Sequence, residues 1–259
     1  MLPLPTIPTQ PTAPSALAEP AALRPSAAPV RRALNYRLHF DAVGEVREAA
    51  LDCEADVFLK AYGNTADQLA DEYGPYDAAS SFIAVSDDQG EVVAAARLIN
   101  PSPLGLKTIA DLGRDPWNID GRRSARAAGI NVDNMWDVAT FGVRKGAAGG
   151  MLLSAALYHA VIQGGNVNEM DGIVMIMDER ARRLFTSIGF YSHPFPGARP
   201  GPYLGSPKST PLWGKRIELV DGQRRTNPEA FRLISQGIGM DGIDLPDRES
   251  FRLKSRRTA

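Results

Sequence analysis

The sequence has a single cysteine, Cys53, so no disulfide can form within the chain. A chain without disulfides fits a reducing compartment, and we expect a cytoplasmic protein. No apolar run approaches the ~20 residues that a transmembrane helix needs. The N-terminus also lacks the charged start and apolar block of a secretory signal. These absences exclude a disulfide-stapled domain and predict a chain that does not span a membrane.

The sequence also lacks an excess of charge of either sign. Its 29 basic and 30 acidic residues leave a net charge of -1. A nearly neutral protein has no general electrostatic field that attracts nucleic acid or an anionic membrane, so we expect neither as a partner. The 259 residues are 44% hydrophobic, which is enough for a sizeable core. Function must therefore be sought in local patterns.

Composition divides the chain into three parts. Residues 1–32 are rich in proline and alanine and poor in large apolar side chains, which predicts a disordered leader. The main domain is expected over residues 33–221. Residues 222–259 are predicted to form a helix, with Asn227 as its cap and Pro228 in its first turn, and then a basic, largely disordered tail.

Periodicity predicts the elements of the main domain. Apolar residues alternate over residues 34–40, as in a strand, and Asp41 is predicted to cap a helix that ends at Gly63. Further strands are predicted at the following positions: a hairpin over residues 82–100, and single strands over residues 171–177 and 212–220. Residues 100–134 and 191–211 are predicted to be irregular. The order implies an α/β fold with a mixed sheet flanked by helices on both faces.

Residues 135–165 read as strand, glycine-rich turn and helix. The turn spans residues 144–150, and the helix is predicted to stop at Gly164-Gly165. The first N–H groups of a helix lack partners and carry partial positive charge, so this turn could hold a phosphate. The alternative is that its glycines serve only the geometry of the connection.

Two charged residues fall among apolar strand neighbours. Arg97 shares a strand face with apolar side chains and therefore needs an anionic partner. Asp137 lies between Trp136 and Val138, which predicts a desolvated carboxyl group with a perturbed pKa. Either the two residues pair structurally with each other, or each has a functional role.

This order of elements, with the turn after Val143 and a helix over residues 181–190, resembles the GCN5-related N-acyltransferases (GNAT). The resemblance implies that the strand before the turn binds a pantetheine arm and that the turn binds the pyrophosphate of coenzyme A. Ala147 stands where the family turn has a glycine. Phe185 stands where many members have a tyrosine that protonates the departing thiolate, and Tyr191 lies too far along the chain to match it.

A closer resemblance, over roughly residues 57–217, is to the acyl-homoserine-lactone synthases and long-chain N-acyl amino acid synthases. It rests on short patches: Val57-Phe58, Glu72, Asp77, residues 96–101, Trp136-Asp137 and residues 188–190. The sequence departs from this branch at three positions. Glu54 and Thr140 stand where the branch has arginines, and Asn64 stands where it has a tryptophan.

The resemblance implies an N-acyltransferase that moves an acyl group from acyl-CoA or acyl carrier protein to a small-molecule amine, such as an amino acid or amino-acid-like acceptor. Asp137 is expected to accept the proton, with Glu72, Asp77 and Arg97 around the acceptor. Neither a metal nor a permanently bound cofactor is expected. The phosphopantetheine donor is a co-substrate, and its expected contacts are Phe141, Gly142, Val143, Arg144, Lys145, Gly146, Ala148, Gly149 and Gly150.

Two further points depend on the shape and charge of the site. A carrier protein is acidic, and a basic patch could receive it. The residues expected in this patch are Arg122, Arg123, Arg126, Arg144 and Lys145. Small residues around Ala139 and Gly142 favour long acyl chains, whereas a blocked cleft would favour an acetyltransferase. A non-catalytic acyl-binding protein is the third possibility, because the turn is degenerate.

Overall fold

The structure of the protein is a computed structural model that describes residues 35–254. The predicted disordered leader over residues 1–32 lies outside the described residues, as do residues 255–259. Within the described part, no helix combines the length and the apolar character needed to cross a bilayer.

The first strand and helix follow the predicted pattern with one correction. Strand β1 spans Tyr36–His39, and its alternating apolar side chains are buried. Helix α1 spans Glu45–Tyr62 and ends at Gly63, as predicted, but it begins after Gly44. The prediction that Asp41 caps this helix is wrong. The backbone of Asp41 is in the left-handed region, with φ of 50°, and its carboxylate accepts a hydrogen bond from the backbone N–H of Lys254.

The middle of the chain contains more helix than the sequence predicts. Helix α2 spans Ala66–Tyr73, and the predicted hairpin forms strands β2, Ser80–Ser86, and β3, Val92–Ile99. The predicted irregular region contains two short helices, α3 over Lys107–Asp111 and α4 over Gly121–Ala127. The sequence pattern did not predict these helices because they have only 5 and 7 residues, too few to show a helical period.

The predicted strand, turn and helix are present as strand β4, Met135–Val143, and helix α5, Gly150–Val167. The helix continues through Gly164 and Gly165, so the predicted stop there is wrong. A Cβ atom on Gly164 would lie 2.5 Å from the ring of Phe40. The absence of a side chain at Gly164 therefore allows the ring of Phe40 to pack directly against helix α5.

The next segment supplies the far side of the sheet. Its elements are strand β5, Gly172–Asp178; helix α6, Glu179–Ser187; strands β6, His193–Pro194, β7, Gly201–Tyr203, and β8, Ser206–Lys215; and helix α7, Arg216–Thr226. The region predicted as irregular thus holds two short strands and the start of β8. The predicted last strand begins earlier than expected and turns into helix at Arg216.

The C-terminal segment is ordered to Lys254, which differs from the prediction of a largely disordered tail. Asn227 caps helix α8, Pro228–Ala230, as predicted, and a π-helical turn, Phe231–Ser235, follows. Strand β9, Ile243–Asp244, then pairs with β1. Apolar side chains spaced too irregularly to show a period anchor the tail in the core: Ile234, Met240, Ile243, Phe251 and Leu253.

The described strands form one mixed sheet in the order β6-β8-β5-β4-β3-β2-β1-β9, with β7 paired to β8. Neighbours are antiparallel except for the parallel pairs β4–β5 and β1–β9. Helix α5 and the tail cover one face, and α1 covers part of the other. The predicted mixed sheet with helices on both faces is therefore confirmed.

Candidate active site

The parallel strands β4 and β5 pair over only part of their length. Their ladder contains three pairs, of which the last is Asp137 with Val174. Beyond it β4 continues to Val143 and β5 to Asp178 without pairing to each other. The two strands therefore separate in the middle of the sheet and leave one edge of β4 open.

The register of β3 and β4 shows which backbone groups face this gap. Arg97 pairs with Thr140 but Leu98 pairs with Val138, so Ala139 is the extra residue of a β-bulge. The Arg144 N–H donates to the Val93 carbonyl at 2.8 Å. Because hydrogen-bonded and non-hydrogen-bonded pairs alternate in an antiparallel ladder, the backbone groups of Phe141 and Val143 point away from β3 and into the gap.

A cavity of about 120 Å³ occupies the gap. It passes between the two strands, from aromatic side chains on the side of α1 and α2 to apolar side chains on the side of α5 and α6. Representative lining residues are Phe58, Tyr62, Tyr73, Ala139, Phe141, Tyr158, Asp178, Phe185 and Tyr203. The gap is thus a mainly apolar passage with a few hydroxyl groups.

An open groove of about 920 Å³ adjoins the cavity, and the two share Tyr62, Phe141, Tyr158, Asp178 and Ala181 in their linings. The groove runs along α5, α6 and the residues that follow Asn227. On α5 its lining includes positions 151, 154, 155 and 158, which share one helix face. An extended ligand could lie in the groove with its end in the cavity.

The glycine-rich turn stands at the start of α5. Gly146 and Gly149 have positive φ values of 91° and 68°, which glycine adopts without strain. No side chain caps the helix, so its first N–H groups are available to a ligand. The Tyr36 hydroxyl donates to the Ala148 carbonyl at 2.8 Å and fixes the turn against β1.

The predicted donor-binding residues are contiguous in space. Phe141, Gly142 and Val143 line the groove, and the turn residues follow them directly, with Lys145 exposed. Arg144 is bonded to Glu91 at 3.1 Å and is half-buried. This arrangement fits the predicted contacts, which stay a prediction until a donor is bound.

Gly142 is small for a reason unrelated to acyl-chain length. A Cβ atom at this position would lie 2.5 Å from Cγ1 of Val57 on α1. The glycine therefore allows α1 to pack onto β4. Of the two small residues considered from the sequence, only Ala139 lines the cavity between the strands.

Arg97 is buried in an ion pair that the sequence did not predict. Its guanidinium group donates to both carboxylate oxygens of Glu54, at 3.0 and 2.5 Å, and Thr140 also donates to this carboxylate. Asp77 lies 3.7 Å from Arg97 and is bonded to Arg47 at 2.6 Å. The alternative of an Arg97–Asp137 pair is therefore wrong. The two departures at positions 54 and 140 belong to one network.

Glu72 belongs to a second buried network. Lys107 Nζ lies 2.8 Å from Glu72 and 2.6 Å from Asp111, and it donates to the Tyr203 hydroxyl at 3.0 Å. The same hydroxyl donates to Asp111. Of these residues, Tyr203 alone is part of the cavity lining in the described structure. Glu72, Asp77 and Arg97 therefore lie outside the cavity lining.

Asp137 is desolvated as predicted, with 1% of its surface exposed. Its carboxylate accepts hydrogen bonds from the backbone N–H and the hydroxyl of Thr108, at 2.5 and 2.8 Å, near the start of α3. Burial raises its pKa from 3.8 to about 7, against the lowering effect of these two bonds. Asp137 does not line the cavity, and its role as proton acceptor stays a prediction.

The raised pKa of Asp137 predicts a pH dependence of stability. The folded state holds the proton more tightly than the unfolded state, so the stabilisation is complete below about pH 4 and is lost as the pH rises to about 7. We expect Asp137→Asn to remove this decline in the free energy of unfolding, measured by urea titration between pH 4.5 and 8. Asp244→Asn, at an exposed ion pair with Arg37, is the control and should leave the decline intact. Parallel curves for wild type and Asp137→Asn would contradict the assignment.

The structure brings to the cavity a carboxylate that the sequence analysis missed. Asp178 ends β5 and caps α6, where its carboxylate accepts from the Ala181 N–H at 2.7 Å. The Tyr62 hydroxyl donates to its other oxygen. Burial raises the pKa of Tyr62, and this hydrogen bond raises it further. The signal available in the sequence was the position of Asp178 directly after the apolar strand and before the helix, and no role was predicted for it.

Tyr158 is a second missed residue. Its ring stacks on Phe141 of β4 at 4.3 Å between centroids and lies 5.8 Å from the ring of Phe185. Burial raises its pKa, and its hydroxyl has no hydrogen-bond partner among the described residues. Phe185 is buried in the cavity wall, so Tyr158 supplies a hydroxyl beside the position where the GNAT resemblance expects a tyrosine.

The predicted basic landing patch divides into two groups. Arg122, Arg123 and Arg126 lie on α4, and Arg122 pairs with Asp133, just before β4. The other two members, Arg144 and Lys145, follow the opposite end of β4. Nine strand residues separate the groups, which corresponds to about 30 Å. The five residues therefore do not form one patch at the turn, and use of either group by a carrier protein stays a prediction.

Comparison with known proteins supports this architecture. No family model and no curated protein matches the sequence. Among solved structures, FeeM, an N-acyl amino acid synthase from uncultured soil microbes, is similar with a TM-score of 0.55 and 12% identity over 73% of this chain and 94% of that chain. BjaI, a CoA-dependent acyl-homoserine lactone synthase, has a TM-score of 0.53 and 14% identity over 87% of this chain and 99% of that chain. The chain therefore has a GNAT-like fold of the acyl-homoserine-lactone synthase type.

Proposed function

We propose that the protein is an N-acyltransferase that moves an acyl group from a pantetheine thioester to the amine of a small molecule. The observation that carries this proposal is the separation of β4 from β5. It exposes a strand edge to a cavity that adjoins a groove, and the groove lining includes Val143 and Met151 on either side of the glycine-rich turn. An extended arm with two amide groups, such as pantetheine, can pair with such an edge as an added strand would.

The donor is proposed to be acyl-CoA, with acyl carrier protein as the alternative carrier of the same arm. The pyrophosphate of coenzyme A would meet the free N–H groups at the start of α5, where the helix dipole favours negative charge. Lys145 is exposed on the turn and adds a cation beside these groups. The similarity of the fold to that of a CoA-dependent synthase supports this choice of donor.

The acyl group is proposed to be longer than acetyl. Beyond Tyr158 the cavity continues between apolar side chains of α5, β5 and α7, including Val161, Ile162 and Leu219. Burial of methylene groups against such a wall is favourable by about 0.8 kcal/mol for each group. An acetyl group would leave this part of the cavity unused.

The protein must assist the reaction in three ways: by stabilising the oxyanion, by accepting a proton and by donating one. The amine nitrogen attacks the thioester carbon, the C–S bond breaks, and the nitrogen loses a proton. The N–H groups of Phe141 and Val143 face the gap and would stabilise the negative charge on the carbonyl oxygen. Asp178 would take the proton of the amine, and Tyr158 would donate a proton to the departing thiolate.

The role of Tyr158 predicts a loss that depends on the leaving group. Tyr158→Phe is expected to lower kcat with acyl-CoA by about 100-fold, because the thiolate then leaves unprotonated. The loss should be much smaller with an acyl thiophenol, whose thiolate is a weak base and needs no proton. Steady-state kinetics with both donors measures this difference. Tyr191→Phe, which alters a partly exposed tyrosine at the surface, is the control. Equal losses with both donors would assign Tyr158 to packing alone.

The proposed function is tested by thiol release. Full-length protein is mixed with acetyl-, hexanoyl- or dodecanoyl-CoA and a panel of primary amines, and free coenzyme A and N-acyl product are quantified by mass spectrometry. Product from the longer donors supports the proposal. Product from acetyl-CoA alone would support the acetyltransferase alternative. Donor binding without thiol release across the whole panel would support the non-catalytic alternative. The corresponding acyl carrier proteins are tested in parallel.

A further inference from the structure

We infer that the acceptor is an amine without a carboxylate group, received by Asp178 at an aromatic end of the cavity between β4 and β5. This inference rests on the proposed function and differs from the amino-acid acceptor that the sequence resemblance implies. It is drawn from the charges of the cavity wall and of the buried groups outside its lining.

The cavity wall offers one formal charge, and that charge is negative. Among the described residues that line it, Asp178 is the sole carboxylate, and none is a lysine, arginine or histidine. The other polar side chains of the wall carry hydroxyl groups and belong to tyrosine, serine and threonine. An α-carboxylate that entered the cavity would therefore find no cation on the cavity wall. Arg180, which acts electrostatically on Tyr62, is exposed and lines the adjoining groove instead. Burial of an unpaired charge is among the most unfavourable changes in a protein interior.

The buried cations Arg97 and Lys107 lie outside the cavity lining and are already paired. Arg97 is bidentate with Glu54, and its guanidinium carbon also lies 4.9 Å from the ring centroid of Tyr73. Lys107 is bonded to Glu72 and Asp111. Both cations have about 4% of their side chains exposed. Recruiting either of them for a substrate would leave a buried carboxylate without its partner.

The rings at this end of the cavity favour a cation or an aromatic group. Phe58 and Tyr62 lie 5.5 Å apart between centroids, and Tyr73 and Tyr203 complete the wall. Ring faces attract ammonium groups, and rings also stack on rings. The Tyr62 hydroxyl holds Asp178 in place beside them. The wall thus suits an arylalkylamine, whose ammonium group Asp178 binds and then deprotonates.

The test compares acceptors that differ in charge at one position. Phenethylamine, phenylalanine and phenylalanine amide are offered to the full-length protein with hexanoyl- and dodecanoyl-CoA, and product is measured by mass spectrometry. We expect phenethylamine to exceed phenylalanine in kcat/KM by at least about 100-fold. The amide should behave like phenethylamine, because it keeps the bulk of the carboxyl group without its charge. Comparable or faster acylation of phenylalanine would overturn the inference and leave the proposed function standing.

A binding readout makes the inference independent of turnover. The same three compounds are added with a non-reactive thioether analogue of hexanoyl-CoA, and the shift in melting temperature is recorded. Stabilisation by phenethylamine but not by phenylalanine is expected, and the reverse order would overturn the inference. Ala181 is half-buried in the first turn of α6 and lines the cavity, so Ala181→Lys places a cation at the wall. This variant should show a smaller preference for phenethylamine over phenylalanine. If binding follows the expected order but no donor gives product, the result would contradict the proposed transferase activity and not the inference about the acceptor.

Discussion

Replacement of Asp178 by asparagine is expected to lower kcat/KM for the amine by at least about 100-fold while the affinity for acyl-CoA stays unchanged. Asparagine keeps the size of the side chain and an oxygen that can accept the Ala181 N–H bond, so helix α6 retains its cap. It has no negative charge, so it cannot take a proton from the amine. The loss should therefore appear in acylation kinetics and not in calorimetric titration with acyl-CoA.

The matched control uses the same chemical change at another helix. Asp120 caps α4 through a bond from the Arg123 N–H at 2.9 Å and lies outside the cavity lining. Asp120→Asn is expected to leave acylation kinetics unchanged. Asp137→Asn serves as a second comparison, because Asp137 is the carboxylate expected from the sequence. A large loss in Asp137→Asn with little loss in Asp178→Asn would move the proton acceptor to Asp137.

Removal of Glu54 is expected to destabilise the fold by about 3–5 kcal/mol. In Glu54→Ala the guanidinium group of Arg97 stays buried without its bidentate partner, and Thr140 loses its acceptor. The free energy of unfolding from urea titration measures the effect. Asp56→Ala on the same helix is the control, because Asp56 pairs with Lys60 near the surface. Exposed pairs of this kind contribute about 1 kcal/mol or less.

A double variant separates charge from packing at this ion pair. Glu54→Met with Arg97→Met removes both charges and fills similar volumes. We expect its stability to lie closer to that of the wild type than to that of Glu54→Ala, because no buried charge is left unpaired. A double variant as unstable as Glu54→Ala would show that the cost comes from lost packing.

The sequence predicted the elements that depend on local pattern. The strand, turn and helix from Met135 onward, the hairpin and the cap at Asn227 are written in neighbouring residues, and the structure contains all of them. Hydrophobic alternation and glycine conformations act over a few residues, which is why they can be read without a structure. The mixed sheet followed from the order of these elements.

The site was predicted less completely because its contacts join distant parts of the chain. The sequence suggested Asp137 as a structural partner for Arg97. In the structure Arg97 pairs instead with Glu54, which lies 43 positions earlier in the chain. A position between apolar neighbours predicted the burial of Asp137 correctly, but not that Thr108 would bind its carboxylate. Asp178 was not among the predicted site residues. Only the separation of β4 and β5, which no local pattern encodes, exposes it to the cavity.

The short strand β9 has a consequence for how the protein behaves in concentrated solution. Ile243 and Asp244 occupy the outer side of β1, so the longer strands of the sheet do not end in a free edge there. Unpaired strand edges recruit strands from other molecules and promote aggregation, and a two-residue edge offers little to recruit. The C-terminal segment therefore limits self-association through β1. A chain that ended before Gly242 would leave the edge of β1 unpaired and should aggregate more readily.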